Sequence, residues 1–187
     1  MRIIAGKNRG TKLYTLDGDD ITRPTLDRVK ESLFNIIVNH IQDSNVLDLF
    51  AGSGSLGLEA ISRGAKKTIF CDKSKKAIDI IQKNITKTKV EDKVEIINND
   101  YIDCIFNLNS RNMKFDIIFL DPPYATNYIE KSIELIIEKD LLQDNGIIII
   151  ETDEKDRIIE QIKDKKVNIY DIRKYGRIDI IFLERKG

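Results

Sequence analysis

The stretch VLDLFAGSGSLG, residues 46–57, places glycines at 52, 54 and 57 directly behind a short apolar run. The spacing is G-x-G-x-x-G. At the junction of a strand and a helix it provides a tight turn, close approach of a ligand to bare backbone, and close packing of helix on strand. A helix opening at this loop presents unpaired N–H groups and the positive end of its dipole, which suits an anion.

Working outward, short apolar runs alternate with helical patterns. VLDLF (46–50), TIFCD (68–72), VEIIN (94–98), FDIIFLD (115–121) and GIIIIE (146–151) read as strands, and four of the five end in an acidic or polar residue. Helices are predicted over 54–63, stopping at Gly64, and over 74–87, 127–139 and 153–163. The last three repeat isoleucines at helical spacing, such as Ile78, Ile81 and Ile85. Continuous β-branched runs joined by helices imply a parallel sheet covered on both faces, an α/β Rossmann-like class. The end differs. VNIYDIRKY (167–175) and IDIIFLERK (178–186) are separated only by Gly176 and Arg177, which predicts a hairpin and an antiparallel final strand. Ahead of the first strand, 25–41 reads as one amphipathic helix with Thr25 as N-cap and Leu26, Val29, Leu33, Ile36 and Ile37 inward. Residues 1–21 read as a short strand or hairpin.

Composition narrows the function classes. The 187 residues suffice for one domain with a full core, and 41% apolar with 33% charged residues fits a soluble globular chain. No run of about 18 apolar residues or of signal-peptide type occurs, so the expectation is a cytoplasmic protein without membrane contact. Cys71 and Cys104 read as small buried apolar residues. His40 is the only histidine, so a histidine-based zinc cluster or a Ser-His-Asp triad is hard to build, and no metal is expected. His40 itself reads as a surface or capping residue. Net charge is zero, yet residues 1–12 carry Arg2, Lys7, Arg9 and Lys12 without an acid. The last stretch carries Arg173, Lys174, Arg177, Arg185 and Lys186 against two acids. Basic ends around a neutral body can form a phosphate-binding rim.

In open sheets of this class, ligands sit beyond the carboxyl ends of the strands. The glycine loop leaves two ligands open: the pyrophosphate of a dinucleotide, or the carboxylate of S-adenosylmethionine. Asp72 lies twenty residues after Gly52, where a carboxylate accepts hydrogen bonds from ribose hydroxyls of either. Asp100, in NND (98–100), is placed to meet an adenine amino group. Asp48 is expected to orient the loop or the cofactor's ammonium.

DPPY, 121–124, chooses between them. Two adjacent prolines stiffen the backbone and remove two N–H donors while their carbonyls remain. Asp121 and Pro122 then offer acceptors to an exocyclic base amine. The lone pair of such an amine is delocalised into the ring, so gripping its N–H bonds and taking a proton helps to make it nucleophilic. Tyr124 supplies a stacking face, and a base within a helix would have to be flipped out to reach it. Hydride transfer has no use for this loop.

These residues, over essentially the whole chain, resemble the small bacterial methyltransferases that modify guanine N2 of 16S ribosomal RNA. RIIAGKNRGTKL (2–13) is similar to that family's opening, TRPTLDRVKESLFN (22–35) to its most specific signature, 46–65 to its cofactor motif, and YGRIDIIFLER (175–185) to its closing hairpin. Relatives often carry Phe where Tyr124 stands and Glu where Asp72 stands. Both changes keep the chemistry. The resemblance implies a class I methyltransferase fold with a seven-stranded sheet, S-adenosylmethionine as cofactor, and small-subunit rRNA or an assembly intermediate as partner. The expected cofactor set is Asp48, Ala51, Gly52, Ser53, Gly54, Gly57, Asp72, Lys73, Asp100 and Tyr101. The expected catalytic set is Asp121, Pro122, Pro123 and Tyr124. Arg2, Lys7, Arg9, Arg23, Thr25 and Arg28 would face RNA. Residues 1–41 would form an RNA-facing extension with its covering helix, 42–187 the methyltransferase unit, and the protein would be a monomer. Competing readings are an adenine-N6 methyltransferase on RNA or DNA, a dinucleotide-dependent oxidoreductase, and a non-catalytic RNA assembly factor that retains the fold.

Overall fold

The computed structural model describes residues 1–16, 24–123 and 127–186, with the backbone alone for 24–26. Seven strands form one sheet: β1 Asn45–Asp48, β2 Lys67–Cys71, β3 Val94–Ile97, β4 Phe115–Leu120, β5 Leu142–Thr152, β6 Val167–Tyr175 and β7 Ile178–Arg185. Their order is β3-β2-β1-β4-β5-β7-β6. The first five pair in parallel, and β7 runs antiparallel to both β5 and β6. Strand order reverses between β1 and β4, which opens a crevice at their carboxyl ends.

Alternation along the strands builds two cores. Leu47, Ile69, Ile118, Ile148 and Ile181 face one way, toward helices α5 (Tyr101–Ser110), α6 (Tyr128–Glu138) and α7 (Lys155–Ile162). Val46, Phe70, Ile117, Ile149 and Phe182 face the other, toward α1 (Pro24–Ile36), α2 (Val38–Ile41), α3 (Ser55–Ser62) and α4 (Lys75–Thr88). Each such side chain, fully buried, contributes about 1.5–3 kcal/mol. The β6–β7 hairpin turns at Gly176, whose φ of +65° at the first central position is the type II′ arrangement. Edge strand β6 carries Asp171, Arg173 and Lys174, charges that discourage pairing with another chain.

Three local readings are corrected. The helix read over 25–41 breaks at Ile37 into α1 and α2, with His40 half-buried in the second. Pro24 holds the first position of α1, where its missing N–H costs nothing, so Thr25 lies inside the helix instead of capping it. The third correction is an added helix, α5, which follows Asp100; its side chain accepts from the Ile102 N–H at 3.1 Å. Of the short strand or hairpin read over 1–21, the structure shows a single antiparallel bridge between Arg2 and Lys12, and residues 17–21 lie outside the described residues.

Candidate active site

The loop between β1 and α3 takes its shape from its glycines. Gly52 and Gly54 have φ of +55° and +77°, left-handed values open to glycine. A Cβ at Gly57 would lie 2.3 Å from Phe70 Cε1, so the third glycine lets α3 press onto β2. A Cβ at Gly52 would meet nothing within 4 Å, so this backbone borders open space. Two carboxylates tie the loop down. Asp48, at the end of β1, accepts the Gly57 N–H at 3.1 Å. Asp72, just beyond β2, accepts the Gly52 N–H at 2.9 Å and the Ser74 N–H at 2.8 Å.

Behind this loop the N-terminal arm is anchored by Glu59 of α3, which is fully buried. It accepts the Ile4 and Ala5 N–H groups at 2.8 and 3.0 Å and pairs with Arg63 at 2.7 Å and Lys30 at 3.3 Å. The Lys30 ammonium also donates to the Arg2 carbonyl and Ser55 Oγ, joining arm, α1 and α3 at the loop. Asn84 of α4, also fully buried, bonds the Tyr14 backbone in both directions and donates to the Ser53 carbonyl at 2.9 Å.

Two clefts meet at the carboxyl ends of the strands. One, of about 630 Å³, runs past Gly52, Asp72, Lys73, Asp100 and Tyr101 to Asp121, Pro122 and Pro123. Its apolar wall is aromatic: the Phe50 ring stacks on Tyr128 at 6.0 Å and packs on Tyr101 at 5.3 Å. The other, of about 300 Å³, lies between Lys30, Asp48, Ala51, Ser53 and Ser55. Phe50, Gly52, Asp121 and Glu151 line both. The larger cleft has a size, a flat aromatic wall and a carboxylate, Asp72, that would suit an adenosine group.

The site gathers carboxyl groups, Asp48, Asp121 and Glu151 among them. Burial pushes the Asp48 carboxyl up to about 7 against the Gly57 hydrogen bond, and Asp72 adds to the rise. Asp121 is exposed where it opens onto both clefts, although protein atoms crowd round its carboxyl. Burial, then Glu151 and Asp48, raise its carboxyl well above the ordinary range. Glu151 is raised by burial. Such a site favours a cationic sulfonium and ammonium over a pyrophosphate.

The structure therefore brings together the cofactor set with Asp121, Pro122 and Pro123, while Gly54 and Gly57 act within the backbone of the loop. Asp100 lines the cleft, and its Oδ1 also caps α5. Tyr124 and Arg23 lie outside the described residues, as does the Thr25 side chain. Arg2, Lys7, Arg9 and Arg28 are exposed, Arg2 in a 2.9 Å ion pair with Asp27. Sequence reasoning missed Phe50, Tyr128 and Lys30. It also missed Glu151, whose one signal was its place as the acid ending GIIIIE. Cys71 and Cys104 are both buried, and their contact, with burial, drives the Cys71 thiol far up. Among the described residues no group of metal-ligating side chains is assembled and no helix is long and apolar enough to cross a membrane.

Comparison with known proteins agrees with this architecture. The family described as Conserved hypothetical protein 95 matches residues 1–184. Ribosomal RNA small subunit methyltransferase D of Haemophilus influenzae is 41% identical over 182 residues, covering 94% of this chain and 93% of that protein. The Escherichia coli protein yhhF, of known structure, superposes with a TM-score of 0.81 at 26% identity over 100% of this chain and 98% of its own. SMU.776, solved in complex with SAH, shares the fold at a TM-score of 0.71 and 18% identity, over 89% of this chain and 51% of its own. The chain belongs to the family of bacterial small-subunit ribosomal RNA methyltransferases of the D type.

Proposed function

We propose that this protein transfers a methyl group from S-adenosylmethionine to the exocyclic N2 amine of a guanine in small-subunit rRNA, in the cytoplasm. The observation that carries the reading is Asp121. It stands at the end of β4, ahead of two prolines, facing both clefts and without a hydrogen-bond or ion-pair partner among the described residues. An acceptor left bare beside a cleft suits an amine donor from outside.

S-adenosylmethionine, when bound, supplies a methyl group on a positively charged sulfur. Asp72 would accept from its ribose, Asp100 from its adenine amine, and Asp48 from its ammonium, while Phe50, Tyr101 and Tyr128 flank the ring. Ala51, Gly52 and Ser53 bring backbone to its methionyl end, and Lys73 closes the rim over Tyr128 at 5.4 Å. Asp121 and the Pro122 carbonyl hold the N–H bonds of the target amine, and Tyr124 stacks on the base. The SAH in SMU.776 supports the cofactor, and the relatives' names support an rRNA substrate. Residues 1–41 would present Arg2, Lys7, Arg9, Arg23 and Arg28 to RNA phosphates, with Thr25 alongside. Such contacts position the substrate and make binding salt-sensitive. A monomer is the form this reading expects.

The test is Asp121→Ala, assayed for S-adenosylmethionine binding by calorimetry and for transfer of labelled methyl groups to small subunits. The expected result is near-native binding with transfer reduced about a hundredfold or more. Full activity of the variant contradicts the role given to Asp121. Binding of a nicotinamide dinucleotide in place of S-adenosylmethionine contradicts the whole reading.

A further inference from the structure

The reaction must place a proton. After the amine's lone pair has formed its new bond to carbon, the nitrogen is cationic and must lose one hydrogen. Within DPPY, Asp121 is the group able to take it. A second carboxylate stands beside it. Leu120, the last residue of β4, pairs in register with Ile150 of β5, so Asp121 leaves β4 beside Glu151, at a point where neighbouring strands lie about 5 Å apart. Both line both clefts. Neither accepts a hydrogen bond or ion pair from a described residue, although Glu151 is half-buried within a paired strand.

We propose that Glu151 works with Asp121 as a carboxylate pair that receives the proton released by the methylated amine. The proposal rests on the amino-methyl transfer proposed above. In the step, the N–H bond of the cationic nitrogen breaks, its electron pair stays on nitrogen, and an O–H bond forms on one carboxylate of the pair. Nitrogen becomes neutral and the pair gains one positive charge. Two like charges this close disfavour joint ionisation, so the doubly ionised pair takes up a proton more readily than either group alone.

The surrounding charges set how strongly. From β1, Asp48 adds negative charge to the smaller cleft. Lys30 of α1 lines the same cleft and opposes it. Asp72, Lys73 and Ser74 follow β2, Asp100 and Tyr101 follow β3, and Tyr128 comes from α6, all in the larger cleft. On the far side, β7 sets the apolar Ile180 against Glu151, with Asp179 one pair further along. Among the described lining residues, Lys30 and Lys73 carry the cationic side chains, and Lys30 is already held by Glu59.

The experiment compares single-turnover methyl transfer to small subunits as a function of pH for the intact protein, Glu151→Gln and Glu151→Asp. Carboxyl carbon NMR titrations of the free protein run alongside. The expected result is a rate that rises with pH in the intact protein. In Glu151→Gln that rise moves to lower pH and its plateau falls at least tenfold, while Glu151→Asp restores the native profile in part. In the titration, Asp121 and Glu151 of the intact protein respond to each other in two separated steps. A Glu151→Gln profile that superposes on the native one overturns the proposal, as does a uniform fall with no shift along pH, since a merely structural glutamate gives that. If Glu151→Gln does not fold, single independent titration steps for the two carboxyls overturn it instead. An intact protein that methylates no RNA overturns the underlying function as well, whereas an active intact protein with an unshifted Glu151→Gln sinks the pair alone.

Discussion

Asp72 and Gly52, twenty residues apart, are held together by a 2.9 Å hydrogen bond from the Gly52 N–H to Asp72 Oδ2. The acid proposed to meet the ribose thus also fixes the loop whose open side borders the cleft. Replacing it should both loosen the loop and remove an acceptor. We predict that Asp72→Ala weakens S-adenosylmethionine binding about ten- to a hundredfold, the scale of a lost hydrogen bond to a charged group. Isothermal calorimetry measures this, and native affinity in the variant would remove Asp72 from the site.

Gly57 faces Phe70 and Thr68 across the contact between α3 and β2. Gly57→Ala would put a methyl 2.3 Å from Phe70 Cε1 and 2.7 Å from Thr68 Cγ2. Overpacking of this kind costs about 1–3 kcal/mol. Urea unfolding should show that loss, while a midpoint equal to the native one would mean that α3 can draw back freely.

Glu59 is the buried acceptor for two N–H groups of the arm and the partner of Lys30 and Arg63. Glu59→Gln leaves the Lys30 ammonium buried without its counter-charge and should destabilise the fold by about 3–5 kcal/mol. The arm should then detach first, seen as faster amide exchange at Ile4 and Ala5. Unchanged exchange there would show that the arm is held by other contacts.

Asp48 gives stability a pH dependence. Its carboxyl is raised from an ordinary 3.8 to about 7 in the fold, chiefly by burial. Folding therefore favours its protonated form. Its contribution is fully present below pH 3.8 and is lost as pH rises toward and through 7. We predict that Asp48→Asn, which keeps an acceptor for Gly57, flattens the decline in stability between pH 5 and 7.5. Urea midpoints across that range measure it, and equal slopes in both proteins would contradict the assignment.

Much of this fold was legible because its strands are continuous β-branched runs and its helices carry isoleucines at helical spacing. Helix α5 was not. YIDCIFNLNS mixes apolar residues with Asn107 and Asn109, weak helix formers, and Asp100 before it reads equally as a ligand or as a cap. The start of β5 was also hidden, because Gln143, Asp144 and Asn145 look like a turn and enter the sheet only through a register shift opposite Phe115 and Ile117. The glycine loop and DPPY announced the site because their chemistry is local. Lys30, Glu59 and Asn84 did not, since each acts on chain 25 to 70 residues away. Glu151 lay in plain view as a strand end, and only the pairing of β4 with β5 gives it a neighbour in Asp121.

The central claim is tested most directly by the identity of the methylated nucleoside. Small ribosomal subunits lacking their natural methylations would be incubated with the protein and labelled S-adenosylmethionine, with naked 16S rRNA and duplex DNA alongside, and digested to nucleosides. Label is expected in N2-methylguanosine from small-subunit RNA. Label in N6-methyladenosine would keep the chemistry of DPPY but contradict the substrate, and no label in any of them would contradict the account itself.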